Sequence, residues 1–401
     1  MSLLFKNRSA ILLLMINIFL VFTAIGLIVP VMPAYMNMLH INGTTVGLLV
    51  AAFSLTQLLL SPLAGRLSDT YGRKQMIIIG MVIFTLSELV FGLANSAIPL
   101  FIGRMLGGVG AALIMPAVMA YTADVTSMEE RGKGMGFINA AISTGFIIGP
   151  GIGGFLAEYG IRVPFYAAAV AGAFAAVITA FILPASKPAA SSVASAVETK
   201  KEGLAKQLLY SYRQPYFLSL IIVCVSAFGL ANYETVYGLF VDHKFGFTTK
   251  DIAFIITFGS IAGAVVQATI FGWILNKFGE KNVIALCLLF SGLFIFLTLF
   301  AEGYWVIVTV TFIVFLAIDI LRPAIGTQMS RMANEQQGYV AGLNSAFTSL
   351  GNIAGPIVAG FLFDIDINFP YMAAAAILIL SFFLAVAVGR RDSRKAAGNI
   401  R

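Results

Sequence analysis

Charge is what this chain has least of. Asp, Glu, Lys and Arg make up 11% of its 401 residues, and 59% are hydrophobic, with a mean hydropathy of +0.94. A soluble domain carries about 25% charged residues, so that class is excluded and a polytopic membrane protein is indicated. Cysteine is nearly absent. Cys224 and Cys287 both lie in apolar runs, which excludes a disulfide framework and a CxxC metal site. His40 and His243 are too few and too far apart to suggest a metal cluster, so no metal is expected. No GxxxxGK[ST] loop and no HExxH occur, and no soluble domain is there to hold ATP. An ATP-driven pump and a membrane enzyme are therefore disfavoured, and no cofactor is expected. The lack of a repeated filter sequence argues against a channel.

What is present is apolar length. A bilayer core of ~30 Å asks for about 20 apolar residues per helix. Twelve such runs fall at about 10–36, 44–65, 75–94, 98–122, 134–157, 163–184, 215–240, 250–274, 281–300, 304–330, 338–362 and 369–389. Asn95 and Ser96 mark a tight turn between the third and fourth. Lys6 and Arg8 ahead of the first run mimic a signal peptide. The run continues to about Met36, too long for one, and reads as a retained first span. The fold class expected is all-α, with twelve transmembrane helices.

The 25 Lys and Arg residues are unevenly placed. Twenty fall in the two termini and in the loops that follow even-numbered spans. Arg162, Lys244 and Lys250 lie on the other side, and Arg104 and Arg322 fall inside spans. The positive-inside rule then puts both termini in the cytoplasm. The pI of 9.4 is a topology signal, which removes the nucleic-acid reading it would otherwise invite.

One stretch organises the rest. Gly145 to Gly154, GFIIGPGIGG, holds five glycines and Pro150 inside an uncharged run. Interior Gly costs a soluble helix roughly 1 kcal/mol and Pro about 3. A membrane helix tolerates both, because its backbone has few other partners there. Gly145, Gly149 and Gly153 recur every four residues and form a smooth face for another helix, with Gly154 beside it. Pro150 removes one backbone donor and is expected to bend the helix. The stretch returns 206 residues later as GNIAGPIVAG at 351–360. GRLSDTYGRK at 65–74 aligns with GWILNKFGEK at 272–281, and Pro116-Ala117 with Pro323-Ala324, both 207 residues on. Two parallel six-span repeats follow, with a substrate site expected between them near the midplane. The domains expected are 1–184, a linker at 185–214 and 215–401. The linker opens Pro/Ala/Ser-rich, and Leu204, Leu208, Leu209 and Tyr212 suggest a short interfacial helix.

These motifs resemble a known family. GRLSDTYGRK looks like the signature loop of the major facilitator superfamily. In it, Gly65 and Gly72 allow close approach and tight turning, and Asp69 beside Arg73 can make charge-assisted hydrogen bonds. LFIGRMLGGVGAA at 100–112 resembles the fourth-span motif, with Gly107 in place of the usual Gln. GFIIGPGIGG matches the fifth-span motif of the drug:proton antiporters, and GLIVPVMP at 26–33 fits their first span. SAFGLANYETVYGLFVDHKFGF at 226–247 and FLAIDILRPAI at 315–325 resemble the NorA/Bmr/Blt-type Gram-positive multidrug efflux pumps. The resemblance implies a proton-coupled antiporter of the bacterial cytoplasmic membrane. It would export diverse amphipathic, often cationic compounds, as a monomer. A carrier of one metabolite or polyamine on the same scaffold stays open, since fold does not fix substrate.

Five ionisable residues stand inside spans: Glu88, Arg104, Glu234, Asp319 and Arg322. A charge near the bilayer centre costs ~3 kcal/mol on insertion scales, so each is expected to face the bundle interior or a water cavity. The resemblance implies Glu234 and Asp319 as the proton-coupling pair. Arg322 follows Asp319 by three residues on one helix face and is placed to hold it ionised. Arg104 resembles the superfamily's proton-transfer arginine. For Glu88, structural and functional readings both stand. By the resemblance, Phe22, Phe53, Gln57, Phe146, Tyr233 and Phe315 are candidates for the cavity wall, where aromatic faces attract cations.

Overall fold

The structure, a computed structural model, describes residues 7–127, 129–185, 216–332 and 337–398. The expected interfacial helix at 204–212 lies outside the described residues. Within them, every element is helical: α1 (Arg8–Leu39), α2 (Gly43–Tyr71), α3 (Arg73–Leu93), α4 (Ala97–Asp124), α5 (Arg131–Ala157), α6 (Val163–Ile182), α7 (Phe217–Phe245), α8 (Thr249–Thr269), α9 (Phe271–Phe278), α10 (Glu280–Thr298), α11 (Tyr304–Met332), α12 (Gln337–Ile365) and α13 (Phe369–Gly398). Twelve are long and apolar enough to cross a membrane. The exception is α9. The eighth span, expected to reach residue 274, ends at Thr269, and the chain restarts as this eight-residue helix. There Lys277 lies 4.7 Å over the Trp273 ring, a pairing suited to the edge of a bilayer.

The chain forms two compact units. One holds α1, α2 from Leu49 onward, α3 to α6 and Thr248–Phe254. The other holds Asn42–Leu48, α7 and everything from Ile255 onward.

In the first unit, α5 runs unbroken through Pro150, and its glycine face lies on α1. A Cβ at Gly145 would stand 2.8 Å from the Phe19 carbonyl oxygen, and one at Gly149 2.6 Å from that of Thr23. The two backbones therefore touch, as small residues permit. Gly80 of α3 and Gly110 of α4 seat a second helix pair equally closely. A hydrogen bond from Asn17 Nδ2 to Thr179 Oγ1, 2.9 Å long, ties α1 to α6. Thr248–Phe254 joins this unit where Gly154 packs against Ala253 and Lys250 pairs with Glu158.

The second unit repeats the plan. Gly351 and Gly355 of α12 would place a Cβ 2.5 Å from the Cys224 and 2.6 Å from the Phe228 carbonyl oxygens of α7. Its core is aromatic: Tyr233, Tyr237 and Tyr371 are fully enclosed. Here the first turn of α2 belongs, held by Asp364 at the end of α12. The Asp364 carboxylate accepts from the Gly43 and Thr44 backbone N–H groups at 2.7 and 2.8 Å. An anion at a helix N-terminus satisfies donors that have no partner within the helix.

Large apolar side chains such as Phe181, Trp305 and Val170 stand on the outside of the helices. So much exposed apolar surface is stable only where the solvent is lipid.

Candidate functional site

The charged site of the second unit is built from three helices. Arg322 of α11 donates from Nη2 to Glu234 Oε1 of α7 at 2.8 Å. Asp319 lies one turn before Arg322, yet no ion pair within 4 Å joins them among the described residues. The direct partner of Arg322 is thus Glu234, across helices, rather than the carboxylate on its own helix. The reason is reach. A guanidinium extends far enough to cross to a neighbouring helix, whereas the short Asp319 side chain is held toward α8. There its Oδ2 occupies the space a Cβ at Gly263 would fill, and Gln267 Nε2 donates to the Asp319 carbonyl at 2.6 Å. The Arg322 and Glu234 side chains keep 56% and 35% of their surface open, so the pair is reachable rather than sealed in the core.

In the first unit, Arg104 of α4 and Glu88 of α3 are both buried, at 8% and 5% exposure. They line one cavity with Ile25, Ile28, Phe53 and Phe91. The guanidinium sits 5.0 Å over the Phe91 ring. Glu88 faces inward, into this cavity.

The 65–74 motif is less of a loop than expected. Helix α2 continues to Tyr71 and α3 begins at Arg73, so Gly72 alone makes the break, with φ at +98°. That value favours glycine. Gly65 has nothing within 4 Å of its Cβ position and makes no close approach. Arg73, 6% exposed, pairs with Asp69 and, from Nε at 3.4 Å, with Asp124 at the end of α4. Sequence reasoning missed the counterpart. In the second unit, Glu280 at the start of α10 forms a salt bridge with Arg331, Oε1 lying 2.9 Å from Nε. Both positions lie 207 residues beyond Arg73 and Asp124. The repeat keeps the bridge and exchanges its charges, and Gly279, with φ at +75°, repeats the break of Gly72. The common offset was the signal that could have found it.

The expected wall residues divide. Phe22 and Phe146 form an edge-to-face pair with centroids 4.9 Å apart, and Phe146 remains 44% exposed. Gln57 is half-buried on α2, and Phe53 one turn earlier borders the Glu88–Arg104 cavity. Tyr233 and Phe315 differ from expectation. Tyr233 is completely enclosed and Phe315 is 8% exposed. Their rings pack edge to face at 6.2 Å within the aromatic core beside Tyr237 and Tyr371. Ring-on-ring packing of this kind satisfies their large surface without a ligand.

Twelve membrane helices in two like units, with charges held inside each, define a solute carrier of the membrane rather than an enzyme. The Major Facilitator Superfamily profile matches residues 14–268 and 219–401. The chain belongs to that superfamily and is a multi-pass membrane protein. It is 48% identical over 394 residues to multidrug resistance protein 2 of Bacillus subtilis, covering 98% of each chain. It is 45% identical to multidrug resistance protein 1 of the same organism, covering 95% of this chain and 97% of the relative. It is 40% identical to the quinolone resistance protein NorA of Staphylococcus aureus, covering 91% and 93%. The fold matches a crystal structure of a bacterial homolog of the human lysosomal transporter Spinster, with a TM-score of 0.76 at 14% identity, covering 96% and 97%. It also matches the nucleoside transporter NupG, with a TM-score of 0.74 at 16% identity, covering 94% and 97%.

Proposed function

We infer that this protein exports structurally diverse, amphipathic, often cationic compounds from the bacterial cytoplasm in exchange for protons. It sits in the cytoplasmic membrane as a monomer with both termini inside, the side favoured by its Lys and Arg placement. The observation that carries the reading is the Glu234–Arg322 pair with Asp319 one turn away. Two carboxylates and one guanidinium sum to one negative charge when both acids are ionised. A proton on Glu234 releases Arg322, and a proton on Asp319 removes the remaining negative charge from a low-dielectric setting. Each step changes which of two conformations is favoured, which is what alternating access requires. Near-full-length identity of 40–48% to the multidrug and quinolone resistance proteins supports drugs as the cargo. Phe22, Phe146 and Gln57 are the proposed contacts, and Tyr233 and Phe315 the packing that supports Glu234.

The energetics fit. A proton entering through 100 mV releases ~2.3 kcal/mol, and each 1.4 kcal/mol is worth a factor of ten. One proton then sustains an outward gradient of tens-fold for a neutral drug. For a monocation the voltage contributions cancel at one proton, so a second carboxylate is needed to gain from the potential.

The test is ethidium efflux from energised cells, comparing wild type with Glu234→Gln and Asp319→Asn, with and without an uncoupler. The expected result is efflux abolished by the uncoupler and by each substitution while the proteins still insert. Wild type that moves no dye despite good expression would replace drug export with carriage of a defined metabolite. Efflux surviving both substitutions would remove the proton site from this unit.

A further inference from the structure

A buried charge site lies in the first unit, apart from the more open Glu234–Arg322 pair. Glu88 and Arg104 are each more than nine-tenths enclosed and border the same cavity, yet no ion pair within 4 Å joins them. Glu88 Oε2 and Arg104 Nε are both buried without a hydrogen-bond partner. An arginine stays charged in a protein. A carboxylate beside it, ionised and walled by Ile25, Ile28, Phe53 and Phe91, would be drawn into direct contact, because opposite charges attract far more strongly at low dielectric than in water. Instead the guanidinium rests over the Phe91 ring and the Glu88 carboxyl stands apart. That is the arrangement of a neutral, protonated acid next to a cation stabilised by an aromatic face.

The neighbours leave Arg104 as the charged group facing Glu88. From α1 come Ile25 and Ile28, from α2 Phe53, from α3 Ser87 and from α4 the small Gly103 and Gly107. The last two keep the space open: a Cβ at Gly107 would meet Ser87 Oγ at 3.2 Å and the Phe53 ring at 3.3 Å. Gly80 and Gly110 hold α3 and α4 at backbone contact.

The geometry points to Glu88 as a further proton-carrying carboxyl, alternating between a neutral acid apart from Arg104 and a carboxylate paired with it. Losing the proton closes the pair, and gaining it sends the guanidinium back to Phe91. The ligand of this cavity is thus a proton. This role rests on the antiport reading above and adds one proton to each cycle.

Infrared difference spectra between acid and alkaline pH on the purified full chain test the protonation itself. A carbonyl band of a buried protonated carboxyl is expected in wild type and in the Glu234→Gln/Asp319→Asn double variant, absent in Glu88→Gln and shifted in Glu88→Asp. The same band, unchanged in Glu88→Gln at every pH, would overturn the proposal and leave Glu88 as a fixed charge. Dye gradients in proteoliposomes test the carriage. With one proton fewer, Glu88→Gln is expected to sustain about a tenfold smaller gradient per unit of imposed pH difference. A purely structural role would slow the rate and leave the limiting gradient unchanged, and that result would also overturn the proposal. Wild-type proteoliposomes that move no dye on a pH gradient would sink the antiport reading and carriage by Glu88 with it. The infrared band would still decide the protonation.

Discussion

Replacing Gly149 by Ala tests the seam between α1 and α5 directly. The added Cβ would lie 2.6 Å from the Thr23 carbonyl oxygen and 3.0 Å from the Gly26 Cα. Ordinary contact begins near 3.4 Å, so the seam must open by roughly 0.8 Å at Thr23. Backbone cannot swing aside as a side chain can. Overpacking of this kind costs about 1–3 kcal/mol, whereas Ala in place of Gly inside a helix returns about 1 kcal/mol. The net expectation is a loss of up to ~2 kcal/mol. Gly136 supplies the control on the same helix, since nothing lies within 4 Å of its Cβ position. Gly136→Ala keeps the propensity gain and avoids the clash. Thermal unfolding of the purified proteins in one detergent should therefore rank Gly136→Ala at or above wild type and Gly149→Ala clearly below it. Gly149→Val, with two more methyl groups, should fall further. If Gly149→Ala matched Gly136→Ala, the two backbones would not be in the contact described, and the seam would have to be given up.

Two other perturbations follow from the geometry. Reversing Arg73 to Glu should impair efflux and stability, and the double variant Arg73→Glu/Asp124→Arg should recover part of the loss, because the second unit already runs the bridge with that polarity. A double-mutant cycle on melting temperature reads the coupling, expected at about 0.5–3 kcal/mol, and a value near zero would refute the bridge. Gly263→Ala puts a methyl group where the Asp319 carboxylate now rests, so Asp319 must turn away. The pH profile of efflux is expected to move while ethidium binding at alkaline pH holds, and an unchanged profile would place Asp319 elsewhere.

The spans were legible because lipid demands length and apolarity, and both are written along the chain. The glycine seam was legible too, since a four-residue period of Gly has few other uses. Partners across helices were not. Arg322 reads as the neighbour of Asp319 because sequence spacing sees one helix at a time, while Glu234 stands 88 residues away. Tyr233 reads as a wall residue because an aromatic in a span carries no mark of which way it faces. In a soluble helix, polarity would reveal the outer side; here both lipid and core are apolar, so only a charged residue such as Glu88 carries a mark of its facing. The bridge of Glu280 and Arg331 escaped notice because exchanging its charges left no similar residues to align.

The bond from Asn17 to Thr179 sets a clock on biogenesis. Asn17 stands on α1, and its partner on α6 is made 162 residues later. At a synthesis rate of about 5–20 residues per second, the Asn17 amide waits on the order of ten to thirty seconds for its partner. The wait scales with the chain between the two helices, so slower translation of that stretch would lengthen it in proportion.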